Sequence, residues 1–362
     1  MLLILFKYLQ YFLKNLDFFL ISFKIRFIMA FLISFLITFF LSPFFINYFK
    51  KKKISQIIRK NGPITHYSKN NTPTMGGIIL LLSIFISVIF CSDLSNKYIF
   101  YSLIMMLLYS IIGFIDDLYK IILNNSKGLS SSKKFFFQSI CTIPIMSFIY
   151  INNTEKLYIQ FILPFFTNKI IKYNLNYTLY LIISYLIVIG ISNSVNLTDG
   201  LDGLVIMPII FISLGLSILC YSSGDIYFSE YLNIIYVKNA KELIIICLAI
   251  IGSGLGFLWY NTYPAKIFMG DVGSLSLGCI ISMIAILIRQ EFLFLIMCGI
   301  FILESISVII QVIKFKYNRK RFFLMAPLHH HYELKGIMEP CIIIRFWIIS
   351  LILVLFSLII II

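Results

Sequence analysis

Five short stretches of this chain carry residue types that do chemistry. The first is Asp116-Asp117, which closes the apolar run Ile-Gly-Phe-Ile-Asp-Asp-Leu. Two adjacent carboxylates at a helix C-terminus oppose the macrodipole and call for a cation beside them. One can accept a proton or hold a metal while its neighbour positions a nucleophile. A solvated helix end is the plainer alternative. The second stretch is Asn196-Leu-Thr-Asp199-Gly-Leu-Asp202-Gly203. Asp-Gly commonly makes only a turn, yet glycines also let backbone N–H groups approach a nucleotide or a metal. The spacing is not that of an EF-hand. The third runs from Asn261 to Ser274 and contains Lys266, Phe268 and Asp271. Asp271 before Gly and Ser can be an N-cap. The same helix start is suited to phosphate, and the carboxylate to a hard cation bridging to a diphosphate.

The fourth stretch, Pro327-Leu-His329-His330-His331-Tyr-Glu333, sets three histidines in a row. They lack the i, i+4 spacing of a helical zinc site, but histidine can donate to phosphate or sugar at neutral pH. The fifth is His66-Tyr-Ser-Lys69, followed by Thr72-Pro-Thr-Met-Gly-Gly77. Lys69 suits a phosphate or uracil contact, with a surface lysine as the alternative. Each motif alone has an ordinary explanation. Their joint presence in one apolar chain asks for a common one.

The elements that must position them are membrane helices. Of the 362 residues 60% are hydrophobic and 12% charged, with mean hydropathy +0.98. A soluble domain carries about twice that charge. Apolar runs predict ten spans, at roughly 24–48, 75–91, 98–115, 135–151, 178–194, 204–221, 242–259, 272–288, 292–313 and 341–361. The expected fold is all-α and polytopic, one integral-membrane domain over 1–362. Residues 157–166 are apolar but short and contain Pro164, which suggests a hairpin or surface segment. The N-terminal stretch reads as interfacial and not as a cleaved signal. The 7 cysteines occur singly, as small buried hydrophobes and not as a disulfide frame or zinc site. No internal repeat of the kind found in many transporters is visible.

Ten spans divide the loops into two sets. The set comprising 49–74, 116–134, 195–203, 260–271 and 314–340 holds most of the Lys and Arg, including Lys50 to Lys53 and Lys314 to Arg321. The positive-inside rule places that set in the cytoplasm and both termini outside. Orientation by these residues and a general lysine bias account for much of the net charge of +15. Attraction to anionic lipid and an anionic substrate is the second reading. All five chemical stretches fall on the cytoplasmic side, which lipid solubility does not explain.

These motifs together resemble the phospho-N-acetylmuramoyl-pentapeptide-transferases, a branch of the polyprenyl-phosphate N-acetylhexosamine-1-phosphate transferases. The similarity runs from about Arg26 to the C-terminus. The run His329-His-His-Tyr-Glu-Leu-Lys-Gly336 is specific to the muramoyl branch. The resemblance implies ten helices, a cytoplasmic active-site cleft, magnesium, a homodimer and residence in the cell inner membrane. It implies two substrates, UDP-MurNAc-pentapeptide and undecaprenyl phosphate, and no nucleic-acid partner. It makes Asp271 the magnesium ligand, and Asp116 and Asp117 the acids that serve the lipid phosphate. Lys69, Asn193, Asn196, Asp199, Asp202, Asn261 and Phe268 become the nucleotide and diphosphate pocket. His329 and His330, with His331 in the same run, become substrate contacts. Lys134 is the lysine expected near the acidic pair, with Lys133 as the alternative. The chemistry implied is phosphoryl transfer, in one step or through an aspartyl-phosphate. Two rivals remain. One is a UDP-GlcNAc-using transferase, against which the histidine run argues. The other is a secondary transporter, for which only Glu304 lies clearly mid-span. Glu304 reads equally as a structural acid bonded to a neighbouring helix.

Overall fold

The computed structural model describes residues 23–52, 54–55, 72–123, 128–151, 159–163 and 171–361. His66 and Lys69 lie outside the described residues. In chain order the elements are α1 (Phe23–Lys51), α2 (Gly77–Cys91), α3 (Lys97–Ile122), α4 (Ser131–Ile151), β1 (Ile159–Leu163), β2 (Ile171–Leu175), α5 (Tyr177–Thr198), α6 (Ile206–Ser223) and the short α7 (Ile226–Tyr231). A 3-10 turn (Ala240–Glu242) leads into α8 (Leu243–Asn261). Then follow α9 (Gly270–Leu287), α10 (Glu291–Met297), α11 (Gly299–Asn318), the short α12 (Leu328–Leu334) and α13 (Glu339–Ile359).

Among the described residues eight helices are long and apolar enough to cross a membrane. The pair α10–α11, bent by 74°, makes nine if counted as one span. Each of the ten apolar runs folds as a helix or as this broken pair. However, α2 has 15 residues, about 22 Å at 1.5 Å per residue, short of a ~30 Å hydrocarbon core. The chain is a multi-pass helical membrane protein, and the expected count of ten is not reached by length and composition. Within the 157–166 stretch, β1 (Ile159–Leu163) pairs antiparallel with β2. Among the described residues that strand pair is the one sheet in an otherwise helical fold.

The bundle is organised around α9, in which every residue from Val272 to Leu287 is buried. A helix that is apolar on all faces belongs inside a bundle. Small residues then let its neighbours approach closely. A Cβ on Gly77 of α2 would lie 2.3 Å from the Gly273 nitrogen of α9. One on Gly113 of α3 would lie 2.4 Å from the Asp271 carbonyl. One on Gly278 of α9 would lie 2.7 Å from the Ser192 Cα of α5. Three helices are thereby locked to α9. The Gly113 crossing matters most, because Asp116 and Asp117 stand one turn further along the same face of α3.

Helix α3 runs seven residues beyond the boundary at 115 expected from hydropathy, to Ile122. The acidic pair therefore sits more than one turn inside the helix and not at its end. Leu118 and Ile121 pack against the core and carry the helix on.

A further glycine crossing, away from the acids, gives a test of this packing. A Cβ on Gly252 of α8 would lie 2.2 Å from the Phe31 carbonyl of α1. Gly252→Leu should cost about 1–3 kcal/mol or more by overpacking, seen as a lower thermal midpoint in detergent. Gly190, with nothing within 4 Å of its Cβ position, should tolerate leucine. Equal midpoints for the two variants would contradict the α1–α8 contact.

Candidate active site

Asp116 and Asp117 are both almost completely buried, and Asp271 nearly so. Asp271 enters from the first turn of α9, held against α3 by the Gly113 crossing. Oxygen atoms of the three carboxylates lie within 4.8 Å of one another. Three anions this close in a medium of low polarity need compensation. Lys120 and Lys134 provide it. Lys120, on α3 at i+4 and i+3 from the acidic pair, places Nζ 2.7 Å from Asp116 Oδ2, 3.3 Å from Asp117 Oδ1 and 2.8 Å from Asp271 Oδ1. Lys134, on the first turn of α4, places Nζ 2.5 Å from Asp271 Oδ2 and 3.4 Å from Asp116 Oδ2.

The second oxygen of each acid is tied elsewhere. Asp116 Oδ1 accepts from the Leu129 N–H at 2.7 Å, and Asp117 Oδ2 from the Val272 N–H at 3.2 Å. Asp271 Oδ2 accepts from Lys134. Two glycines with positive φ make this possible. A Cβ on Gly128 (φ 58°) would meet Asp116 Oδ1 at 2.8 Å, and one on Gly270 (φ 74°) would meet Asp117 Oδ2 at 2.5 Å. Both positions favour glycine on backbone grounds as well.

Lys134 is aimed by its own helix. Gln138, one turn on, is fully buried and accepts from Asn193 Nδ2 of α5 at 2.8 Å. Thr142, a turn further, bonds the Tyr109 hydroxyl of α3 at 2.7 Å. Asn193 therefore joins helices here and spends its amide on Gln138 and the Ile189 carbonyl.

The two loops flanking α2 and α9 are stitched together by main-chain bonds. Phe268 N–H donates to the Pro73 carbonyl at 2.8 Å, Gly76 N–H to the Phe268 carbonyl at 2.8 Å, and Gly77 N–H to the Met269 carbonyl at 2.8 Å. The Thr72–Gly77 run thus supports the Phe268–Asp271 run, while the Phe268 ring keeps partial exposure. Asn261 is buried and donates to the Ile267 carbonyl at 2.8 Å. Asp202 is buried too. Its Oδ2 accepts from Ala265 N–H, and its own N–H donates to Glu339. Both brace the loop that carries Phe268. Asp199, at the C-cap of α5, belongs to the acidic group. Burial pushes its carboxyl up to about 8, followed by the charges on Asp271 and Asp117. Asn196 is partly exposed nearby in the chain, on the last turn of α5.

The three histidines part company. His329 is fully buried, 3.3 Å from Glu304 through Nδ1, and its Nε2 lies where a Cβ on Gly200 would sit. His330 pairs with Glu333 at 2.7 Å. His331 accepts from the Leu324 N–H at 3.2 Å and meets the Phe323 ring in a T-shaped contact at 5.5 Å between centroids. Glu304, fully buried in α11, accepts from the N–H groups of Leu328 at 2.6 Å and His329 at 3.2 Å. It is the structural acid of the plainer reading, capping the helix that bears the histidines. Sequence reasoning missed Lys120 and Gln138 as site residues. Lys120 had a signal, since i+3 and i+4 spacing from two acids predicts contact on a helix. Gln138 had none beyond its place one turn after Lys134.

Residues 99–289 match the Glycosyl transferase family 4 model, and residues 69–81 match the first signature of the phospho-N-acetylmuramoyl-pentapeptide-transferases. A phospho-N-acetylmuramoyl-pentapeptide-transferase of Buchnera aphidicola subsp. Acyrthosiphon pisum (strain 5A) is 56% identical over 317 residues, 88% of each chain. One from Buchnera aphidicola subsp. Baizongia pistaciae (strain Bp) is 53% identical over 316 residues, 87% of this chain and 92% of the relative. The chain belongs to the phospho-N-acetylmuramoyl-pentapeptide-transferase family. The matched signature spans the Thr72–Gly77 run that supports Phe268 and Asp271. The Glycosyl transferase family 4 match takes in all three clustered acids and both lysines.

The capping role of Glu304 is testable. Glu304→Ala leaves one buried and one part-buried N–H group without their charged acceptor, worth about 1.5–3 kcal/mol for each such bond. The expected result is a lower thermal midpoint in detergent and faster proteolysis between residues 319 and 336. Unchanged proteolysis there would show that α12 is held by other contacts.

Proposed function

We propose that this chain transfers phospho-MurNAc-pentapeptide from UDP-MurNAc-pentapeptide to undecaprenyl phosphate, forming lipid I and releasing UMP. The observation that carries the reading is the buried cluster of Asp116, Asp117 and Asp271, faced by two lysines within a family of transferases of this name. A phosphate oxygen of the lipid attacks the phosphorus attached to the sugar. The new P–O bond forms as the bond to the UMP oxygen breaks. Both reactants are anions, so the site must offset their repulsion.

The donor set suits magnesium, which favours carboxylates together with phosphate oxygens. Asp271 would hold it, with Asp116 and Asp117 alongside. When bound, magnesium supplies charge screening and polarises the phosphoryl oxygens. The chain's own groups do the rest. Lys134 brings positive charge to the edge of the acid cluster. Asp116 or Asp117 serves the lipid phosphate as a base. The partly exposed Phe268 ring stacks on the uracil, a contact worth about 1–3 kcal/mol. Lys69, Asn196 and Asp199 complete the nucleotide and diphosphate pocket. Asn193, Asn261 and Asp202 act through the loops and helices they brace. His330 is assigned to the sugar or peptide, while His329 packs against the Gly200 turn. The positive-inside bias supports a cytoplasmic cleft in the cell inner membrane with both termini outside, and the resemblance supports a homodimer.

The decisive assay is release of labelled UMP from UDP-MurNAc-pentapeptide, dependent on added undecaprenyl phosphate. UDP-GlcNAc should not substitute, and a transporter would release no UMP. Asp116→Asn, Asp117→Asn and Asp271→Asn should each insert normally yet lower turnover at least about a hundredfold. Near-normal turnover in one of them removes that residue from the reaction. Phe268→Ala should raise KM for the nucleotide sugar and leave the magnesium requirement unchanged, because it removes uniform binding. A shifted magnesium curve in that variant would count against the stacking role. Orientation has its own check. A reporter fused after Ile362 should face the outside, and a cytoplasmic signal would refute the assigned topology.

A further inference from the structure

The three acids divide their oxygens in a regular way. One oxygen of each is committed to the surrounding framework, to Leu129 N–H, Val272 N–H or Lys134 Nζ. The other oxygen of each, namely Asp116 Oδ2, Asp117 Oδ1 and Asp271 Oδ1, converges on the Lys120 ammonium, with Asp116 Oδ2 also 3.4 Å from Lys134 Nζ. The cluster is a tripod that presents three oxygens to one point, and an ammonium group stands at that point.

We propose that Lys120 is the resident counter-ion of this tripod, and that a divalent metal takes its place and turns the ammonium out toward the cleft. The inference rests on the metal reading of the acid cluster given above. A metal bound through these oxygens competes for the same lone pairs that Lys120 now occupies. Charge favours the exchange. When all three carboxylates are ionised, two lysines leave one negative charge uncompensated, and a dication replacing one ammonium removes it.

The stem permits the motion. Lys120 hangs on the same helix as two of its partners, so its base stays fixed while Nζ moves. Its side chain is 26% exposed, against 1% for Asp116 and 4% for Asp117, so a path to solvent exists on its side. The stem also touches the turn that holds Asp116, since a Cβ on Gly128 would lie 2.9 Å from Lys120 Cε. The displaced ammonium ends beside the metal, where an incoming diphosphate needs positive charge. One lysine thus has two duties: neutralising the empty tripod, and meeting the anionic substrate once the metal has arrived.

The test uses the full-length chain in detergent, without substrate, at fixed pH and ionic strength. Lysines are acylated with an amine-directed reagent, with and without magnesium, and the labelled peptides are quantified by mass spectrometry. Lys120 labelling should rise at least about fivefold with magnesium, while Lys241, paired with Asp225 far along the chain, should not change. In parallel, manganese binding is measured by electron paramagnetic resonance. Lys120→Met removes the competing cation and should bind manganese at least about tenfold more tightly than the unaltered chain. If the variant fails to fold, the labelling experiment on the unaltered chain still decides. Manganese binding with unchanged Lys120 labelling overturns the exchange and leaves the metal reading standing. An absence of manganese binding to the unaltered chain overturns both. UMP release by the same preparation tests the transferase reading separately.

Discussion

Charge buried in an apolar bundle has to be neutralised where it stands, and the architecture of this chain follows from that requirement at one spot. Three carboxylates meet where α3, more than one turn before its end, crosses the start of α9. They are tolerated because two lysines and two backbone N–H groups reach them within hydrogen-bonding distance. Remove the lysines and the cluster is an unpaired buried charge, among the costliest defects a protein can carry. Keep them, and the cluster becomes an electrostatically poised site in which a modest change in cation content alters the local charge balance.

Such a cluster needs backbone placement finer than side-chain packing alone delivers. Glycine supplies it in two forms. Gly77, Gly113 and Gly278 let α2, α3 and α5 press directly onto α9. Gly128 and Gly270, in left-handed conformations, leave room for the Asp116 and Asp117 carboxylates. The helices carrying the acids are therefore located by main-chain contact, and the acid geometry inherits the stiffness of those crossings. A second layer of polar bonds acts on the loops. Asn261, Asp202 and Glu304 all anchor segments that carry other candidate residues.

Much of this was legible in the sequence. Apolar runs located the helices, the family motifs located the acids, and residues 157–166 were recognised as a hairpin or surface segment. What escaped detection has physical causes. Hydropathy ends a span where charge appears, so α3 seemed to stop at 115, although Leu118 and Ile121 still pack inward beyond the acids. No proline marks the break between α10 and α11, and an unbroken apolar run over 292–313 conceals it. Motif membership suggested substrate contact for Asn193, Asn261 and Asp202, and the fold adds that their side chains also bond neighbouring elements. A linear pattern reports that a residue matters and is silent on whether it touches a ligand or holds something that does. Lys120 was hidden for the opposite reason. It belongs to no conspicuous run, and its importance comes only from the helical periodicity linking it to the acidic pair.

The broken helix has a mechanical consequence. Beyond the bend, α11 buries only Ile300, Phe301, Glu304 and Ser307, so most of its surface faces outward. Yet two of its side chains grip the segment that follows it. Glu304 caps α12, and Gln311 accepts from the N–H groups of Phe322 and Phe323 and donates to the Phe323 carbonyl. The tilt of a membrane helix is set by its packing against neighbouring helices, and α11 is tied to α5 by the hydrogen bond from Ser305 to Ser194 at 2.6 Å. Glu304 and Gln311 therefore hang the histidine segment on a helix that is itself seated on α5. The position of that segment follows the seating of α11, as a pointer follows its spindle.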